Sequence, residues 1–143
     1  MSRLTVFLAR SIGLFMILLV AGLLVHGGNV VEATAADGPV MLSYAIISLA
    51  IGVAMVVGHN VWSGGALPIV VTLVGWLILA KGLLLLALSS ETLAGTMQQI
   101  RYGEHDRLYL APALVIGLYL TWAGFTVPAQ GRRQANRKGF DLP

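Results

Sequence analysis

The sequence predicts an all-α integral membrane protein, a bundle of four transmembrane helices with both termini on the cytoplasmic side. Of the 143 residues, 57% are hydrophobic and 10% are charged. A soluble domain carries about 25% charged residues, because its surface must face water. Four segments approach or exceed the ~20 mainly apolar residues that a helix needs to cross the hydrocarbon core. Most Lys and Arg residues lie at the two ends of the chain, where an even number of spans places them on one side.

The predicted spans are about residues 4–25, 40–57, 67–88 and 108–127. The first carries one charge, Arg10, close enough to its start for the side chain to reach the headgroups. No Asp, Glu, Lys or Arg lies between Asp37 and Lys81, a length that is very unusual for a soluble protein. The fourth span ends at Pro128, since proline cannot continue a helix.

Basic residues predict the orientation. Arg3 precedes the first span and Arg10 lies near its start, and four basic residues follow the fourth span, namely Arg132, Arg133, Arg137 and Lys138. Arg101 and Arg107 lie on the other side. The positive-inside rule places the six in the cytoplasm. We therefore expect a multi-pass membrane protein, with one domain over 1–128. Residues 129–143 form a basic tail that we expect to be disordered.

The first span could instead be a cleaved signal peptide, with Ala33–Ala35 as an A-x-A cleavage site. Ten residues separate Val25 from the end of that site, which is more than signal peptidase usually accepts. The distance favours an uncleaved first helix.

The first two connections between spans are short and polar, and the third, 89–107, is long. Within it Leu93, Met97 and Ile100 recur at i, i+4 and i+7, the spacing of one helix face. An amphipathic helix on the membrane surface and an ordinary loop are equally good interpretations of that spacing.

Lys81 is the most informative position, because it lies well inside the third span. An ammonium at such a depth costs ~1–3 kcal/mol even with snorkelling. The favoured explanation is that Lys81 reaches the outer headgroups or pairs with Glu91, Glu32 or Asp37. The alternatives are an ion, proton or anion site inside the bundle, and contact with a partner subunit.

The segment 58–62 closes the second span at the cytoplasmic surface. Trp62 is suited to the headgroup region. Asn60 is suited to end a helix, because its side chain tolerates left-handed backbone and caps free carbonyl groups. A capped and anchored helix end accounts for the segment, and a proton-relay or ligand role for His59 is the alternative.

Small residues on helix faces predict close packing of the four helices. They are Ser48 and Gly52, which share a face with Met55 and His59, together with Gly75, Gly82, Ala113, Gly117 and Gly124. Thr72 and Trp76 are expected to fill the bundle, and could alternatively line a pocket.

The sequence carries no enzyme signature. It has no cysteine, which excludes thiolate metal sites and cysteine nucleophiles. No acidic or histidine cluster has metal-ligand spacing, and the three histidines fall at opposite surfaces, so paired haem ligation in the core is not available. No phosphate-binding glycine motif or nucleophile elbow occurs. We therefore expect no catalytic residue, cofactor, metal or nucleic-acid partner. A membrane enzyme would have to use the polar residues at 101–107.

The segment 58–83, GHNVWSGGALPIVVTLVGWLILAKGL, resembles a group of small four-helix bacterial inner-membrane proteins. They share an HN-x-W turn followed by a T-L-x-G-W-x-x-L-x-K-G helix. The matching residues are His59, Asn60, Trp62, Thr72, Gly75, Trp76, Lys81 and Gly82. The resemblance implies the four-helix membrane fold and no particular activity. A looser similarity to DoxX-like proteins rests on architecture alone.

These observations favour a non-enzymatic membrane protein that acts by association in the lipid bilayer, as an accessory subunit of a membrane-protein partner or as a small homo-oligomer. The alternative is a small transporter or channel that uses Lys81, together with His59, for a proton or an anion.

Overall fold

The computed structural model describes residues 2–27, 29–101 and 105–126. Over these residues the regular structure is helical, which confirms the all-α prediction. The helices are α1 (Arg3–His26), α2 (Asn29–Ala36), α3 (Gly38–Gly58), α4 (Ala66–Ala87), α5 (Ser90–Gln99) and α6 (Asp106–Thr126). Four of them, α1, α3, α4 and α6, are long and apolar enough to cross a membrane. The chain is thus a multi-pass membrane protein. The predicted basic tail at 129–143 and the expected helix end at Pro128 lie outside the described residues.

The four long helices form two closely packed antiparallel pairs. Helix α3 packs on α4, and α1 packs on α6. Helix α4 also contacts α1 and α6 and so joins the two pairs, whereas α3 packs on no other long helix as extensively as on α4. Helix α3 therefore stands at the edge of the bundle.

Glycines allow the close approach of α3 and α4. A Cβ atom at Gly52 would lie 2.5 Å from the backbone of Leu79, and one at Gly82 would lie 2.7 Å from the backbone nitrogen of Leu49. Ser48, whose side chain is buried, lies on the same face of α3. On α4, Gly75 faces the Cβ atom of Met55 at 3.0 Å. Only glycine permits backbones this close, because the crossing leaves no room for a methyl group.

The α1–α6 pair has the same character. A Cβ atom at Gly13 would lie 2.7 Å from the backbone nitrogen of Thr121, and one at Gly117 would lie 3.0 Å from the Cβ atom of Met16. A Cβ atom at Gly124 would lie 3.2 Å from the backbone nitrogen of Arg10. Ala113, nearer the start of α6, is half-buried.

The buried apolar core lies toward the end of the bundle where α1 and α4 begin and α3 and α6 end, here called the His59 end. It is formed by Ala9, Met55, Leu67, Val71, Val74, Leu120 and Ala123. Elsewhere most apolar side chains on the long helices face outward. That distribution is expected when lipid replaces water as the solvent.

Two short helices cover the opposite end of the bundle. Helix α5 forms the first half of the third connection, which favours the helix over the loop, and Leu93 and Met97 are half-buried. Ile100 follows the last residue of the helix and is exposed, so it does not complete the predicted face. Helix α2, which packs on α5, was not expected from the sequence. Its eight residues span about two turns, which is too short to show a helical period.

Candidate functional site

The connection between α3 and α4 folds back onto the second turn of α4. Helix α3 ends where the backbone N–H of His59 donates to the carbonyl of Met55 at 2.7 Å. The next helix starts after Gly64 and Gly65, which have φ angles of 90° and 115°. Residues other than glycine rarely adopt such backbone angles, so these two glycines allow the chain to turn back into α4.

Thr72 holds this connection in place. Its hydroxyl accepts a hydrogen bond from the backbone N–H of Val61 at 3.0 Å, and the Val61 carbonyl lies within donating distance at 3.0 Å. The carbonyl of His59 is a second possible acceptor at 3.4 Å. Thr72 is 1% exposed, so the prediction that it fills the bundle agrees with its burial. Its hydroxyl satisfies backbone groups that would otherwise be buried without a partner.

Asn60 does not end α3 in the way its residue type predicts. Among the described non-glycine residues a positive φ occurs at Arg101 and not at Asn60. The Asn60 side chain instead accepts a hydrogen bond from the indole of Trp62 at 2.7 Å, and the indole nitrogen of Trp76 lies 3.5 Å from the same oxygen. The prediction that Asn60 forms a left-handed cap was therefore wrong. The backbone N–H of His59 makes the last hydrogen bond of the helix, and the Asn60 side chain accepts from the indole groups instead.

Trp76 also differs from its prediction. It was expected to fill the bundle, yet it is 43% exposed. The ring lies at the surface of α4, where the exposed side chain of Asn60 is within reach of the indole N–H group. Inside the apolar bundle the same N–H group would need a different acceptor. Trp62 is more than half exposed, as the prediction of an interfacial anchor requires.

His59 is the most unusual polar residue in this region. Its side chain is 3% exposed and its Nε2 atom has no hydrogen-bond partner among the described residues. Burial lowers the pKa of His59, and a hydrogen bond to the backbone of Pro68 offsets part of that effect. The lowered pKa favours the neutral form of the ring, and its buried Nε2 atom has no partner among the described residues.

Lys81 lies on the outside of the α3–α4 pair, where its side chain is exposed. Its Nζ atom is 5.7 Å from the centre of the Tyr44 ring, within the range of a cation–π interaction. Within the described part of the chain that ring is its only partner, and none of Glu91, Glu32 and Asp37 pairs with it. Tyr44 was not singled out from the sequence, although it is the one tyrosine in the second span.

Arg10 crosses between helices rather than simply reaching the headgroups. Its Nε atom donates to the carbonyl of Gly124 at 2.8 Å, and its guanidinium lies over the Phe125 ring at 4.7 Å from the centroid. Because Gly124 is near the C-terminal end of α6, the positive charge also meets the negative end of that helix dipole. Arg10 thus fastens α1 to α6.

The predicted site residues do not form a single site. Lys81 is nine positions after Thr72 along α4, a rise of about 14 Å. A groove of about 300 Å³ exists elsewhere, between α1 and the start of α2, and its lining is almost wholly apolar: Leu18, Leu19, Gly22, Leu23, His26 and Val30. No cluster of three metal-ligating side chains occurs within the described ranges. No family model, curated protein or solved structure matches the chain.

Proposed function

We propose that the protein acts by association within the membrane, as an accessory subunit or as a small homo-oligomer. The observation that carries this proposal is the edge position of α3. Its contacts with the other long helices are concentrated on α4. The rest of its surface presents large apolar side chains, among them Leu42, Ile46, Ile47, Ile51 and Val53.

An edge helix supports association for a physical reason. Helices associate in lipid through close packing and interhelical polar contacts, and not through hydrophobic burial. In this chain close packing is used between α3 and α4 and between α1 and α6, while no other long helix among the described residues packs extensively on the remaining flank of α3. That flank is where a further helix can pack without disturbing either pair.

The position of Lys81 supports association over transport. A transport site needs a polar group that faces an interior cavity. Lys81 instead projects from the outer surface of the α3–α4 pair, and His59 lies in a packed apolar region. The two residues are also too far apart along the bundle to act on one ion together.

The test is the mass of the particle extracted in native lipid by a styrene–maleic acid polymer, with no detergent step. We expect a mass greater than one chain. Ile47→Trp on the open flank of α3 should reduce it, whereas Phe15→Trp on α1 is the matched control at a similarly exposed position. A wild-type particle that contains one chain and no other protein would refute the proposal.

A further inference from the structure

Lys81 and Tyr44 lie at the same depth in the membrane. Lys81 is six residues before the end of α4 at Ala87, and Tyr44 is six residues after the start of α3 at Gly38. Both are therefore about 9 Å along the helix axis from the end that lies opposite the His59 end. Around them the surface is apolar, with Ile47, Leu77 and Leu84 all more than half exposed.

The ring of Tyr44 does not by itself compensate the charge of Lys81. A cation–π contact contributes about 0.5–2 kcal/mol, and the Lys81–Tyr44 distance of 5.7 Å is near the upper limit of its range. An ammonium at the depth of Lys81 costs about 1–3 kcal/mol even with snorkelling, and a contact at the far limit of the cation–π range offsets only the lower part of that cost. A second, negatively charged partner would remove the remaining cost.

The direction of α4 disfavours a lipid headgroup as that partner. Side chains on a helix tilt toward its N-terminus. Helix α4 begins at the His59 end, so the Cα–Cβ bond of Lys81 points away from the nearer membrane surface. Its ammonium lies beside Tyr44 of the neighbouring helix. The charge is thus presented sideways, at a depth where lipid offers hydrocarbon and a packed helix can offer a carboxylate.

Within the described residues, a second copy of this chain offers no acidic residue inside a long helix at the depth of Lys81. The six acidic residues are Glu32, Asp37, Glu91, Glu104, Asp106 and Asp141. None of them lies within α1, α3 or α4, and the one in α6 is its first residue. A helix of a different protein is therefore the better source of a carboxylate at this depth.

We propose that the α3–α4 face around Lys81 and Tyr44 receives a transmembrane helix of a different membrane protein that carries an aspartate or glutamate at the matching depth. The carboxylate pairs with the Lys81 ammonium, and the Tyr44 hydroxyl is a second donor to it. This inference rests on the proposed association and adds the chemistry of the partner.

The experiment uses a synthetic transmembrane probe. The probe is a leucine–alanine helix with a single aspartate about 9 Å from one end, and its Leu version is the reference. Both are reconstituted with the full chain in nanodiscs of neutral lipid at pH 8, and their association is measured by energy transfer. We expect the Asp probe to bind about 5- to 30-fold more tightly than the Leu probe, the range of a 1–2 kcal/mol interhelical polar contact.

Variants at one exposed position separate charge from folding. Lys81→Met should abolish the preference for the Asp probe, and Lys81→Arg should retain it. Lys81→Glu should transfer the preference to a probe with a lysine at the same place. Because Lys81 is exposed, none of these changes disturbs the core.

Three results would overturn the inference. The first is equal binding of the Asp and Leu probes by the wild-type chain. The second is a Lys81→Met variant whose particle, extracted in native lipid, has lost the anionic phospholipid that the wild-type particle retains, which would assign the charge to a headgroup. The third is self-association that depends on Lys81, which would assign it to a second copy. In each case a multi-chain native particle would leave the proposed association standing, so the two failures are distinguishable.

Discussion

Replacement of Gly52 by alanine tests whether the backbone contact between α3 and α4 holds the structure together. The added Cβ would lie 2.5 Å from both the nitrogen and the Cα atom of Leu79. Carbon atoms in contact are normally about 3.5–4.0 Å apart, so the two helices must separate by about 1 Å. A change of side-chain rotamer cannot relieve the overlap, because the atoms it meets belong to the backbone. We expect a loss of about 1–3 kcal/mol in the free energy of unfolding.

Gly22 provides the matched control, because no atom lies within 4 Å of the position where its Cβ would be. Gly22→Ala should leave stability unchanged or raise it by up to about 1 kcal/mol, the difference in helix propensity. The assay is unfolding of the protein in mixed micelles at rising mole fraction of dodecyl sulfate, followed by far-ultraviolet circular dichroism. Equal midpoints for wild type and Gly52→Ala, or equal losses for the two variants, would refute the close-contact explanation.

A second glycine at the α3–α4 crossing tests whether the two overlaps share one cause. Gly82→Ala would place a Cβ 2.7 Å from the backbone of Leu49, at the same crossing. One separation of the helices relieves both overlaps, so the double variant should lose less than the sum of the two single losses. Strict additivity would mean that the two glycines do not share one contact.

Three further outcomes are expected. Thr72→Val should lower stability by about 0.5–1.5 kcal/mol, because the part-buried N–H of Val61 loses its acceptor, and Thr72→Ser should retain most of the wild-type stability in the same unfolding assay. The pKa of His59 is lowered in the native state, so the unfolded chain takes up a proton at a higher pH than the folded chain does. The contribution of His59 to stability should therefore be constant above about pH 6.5 and fall as the pH drops below that value. His59→Gln should remove this part of the pH dependence of the unfolding midpoint. Arg10→Lys should cost about 1–2 kcal/mol, because an ammonium cannot keep both the Gly124 bond and the ring contact, and the loss should persist in high salt.

The controls for these variants use exposed residues of the same type. His26→Gln is the control for the loss of an imidazole, since His26 is exposed and bonds within its own helix. Arg3→Lys should have no measurable effect on unfolding, since Arg3 is exposed at the start of α1. A pH profile that His59→Gln leaves unchanged would contradict the buried neutral ring.

The four long helices could be predicted from the sequence, because length and hydropathy decide whether a segment suits a bilayer. The close helix faces could also be anticipated, since Gly52 and Gly82 leave room that larger residues would fill. The pairing of the helices could not. Nothing in the sequence alone states that α1 packs on α6, so the contact of Arg10 with Gly124 was out of reach.

The polar details at the end of α3 show a second limit. Asn60 has the residue type of a helix cap, yet it receives two indole groups, because the fold-back of 59–65 brings Trp62 and Trp76 to its side chain. The direction of Lys81 depends on the register of α3 against α4, which aligns it with Tyr44. Residue types gave the candidates, and the packing of neighbouring helices determined their partners.

The pairing of α1 with α6 also has a consequence for the order of assembly. The ribosome delivers α1 to the membrane before α3, α4 and α6, so α1 is inserted well before its packing partner α6 has been synthesised. The α3–α4 pair is a local hairpin and can close while synthesis continues. Until α6 arrives, Arg10 lacks the Gly124 carbonyl and has only headgroups or water to solvate it. Assembly of this small protein is therefore completed by a contact between residues 114 positions apart, formed after the hairpin between them is already in place.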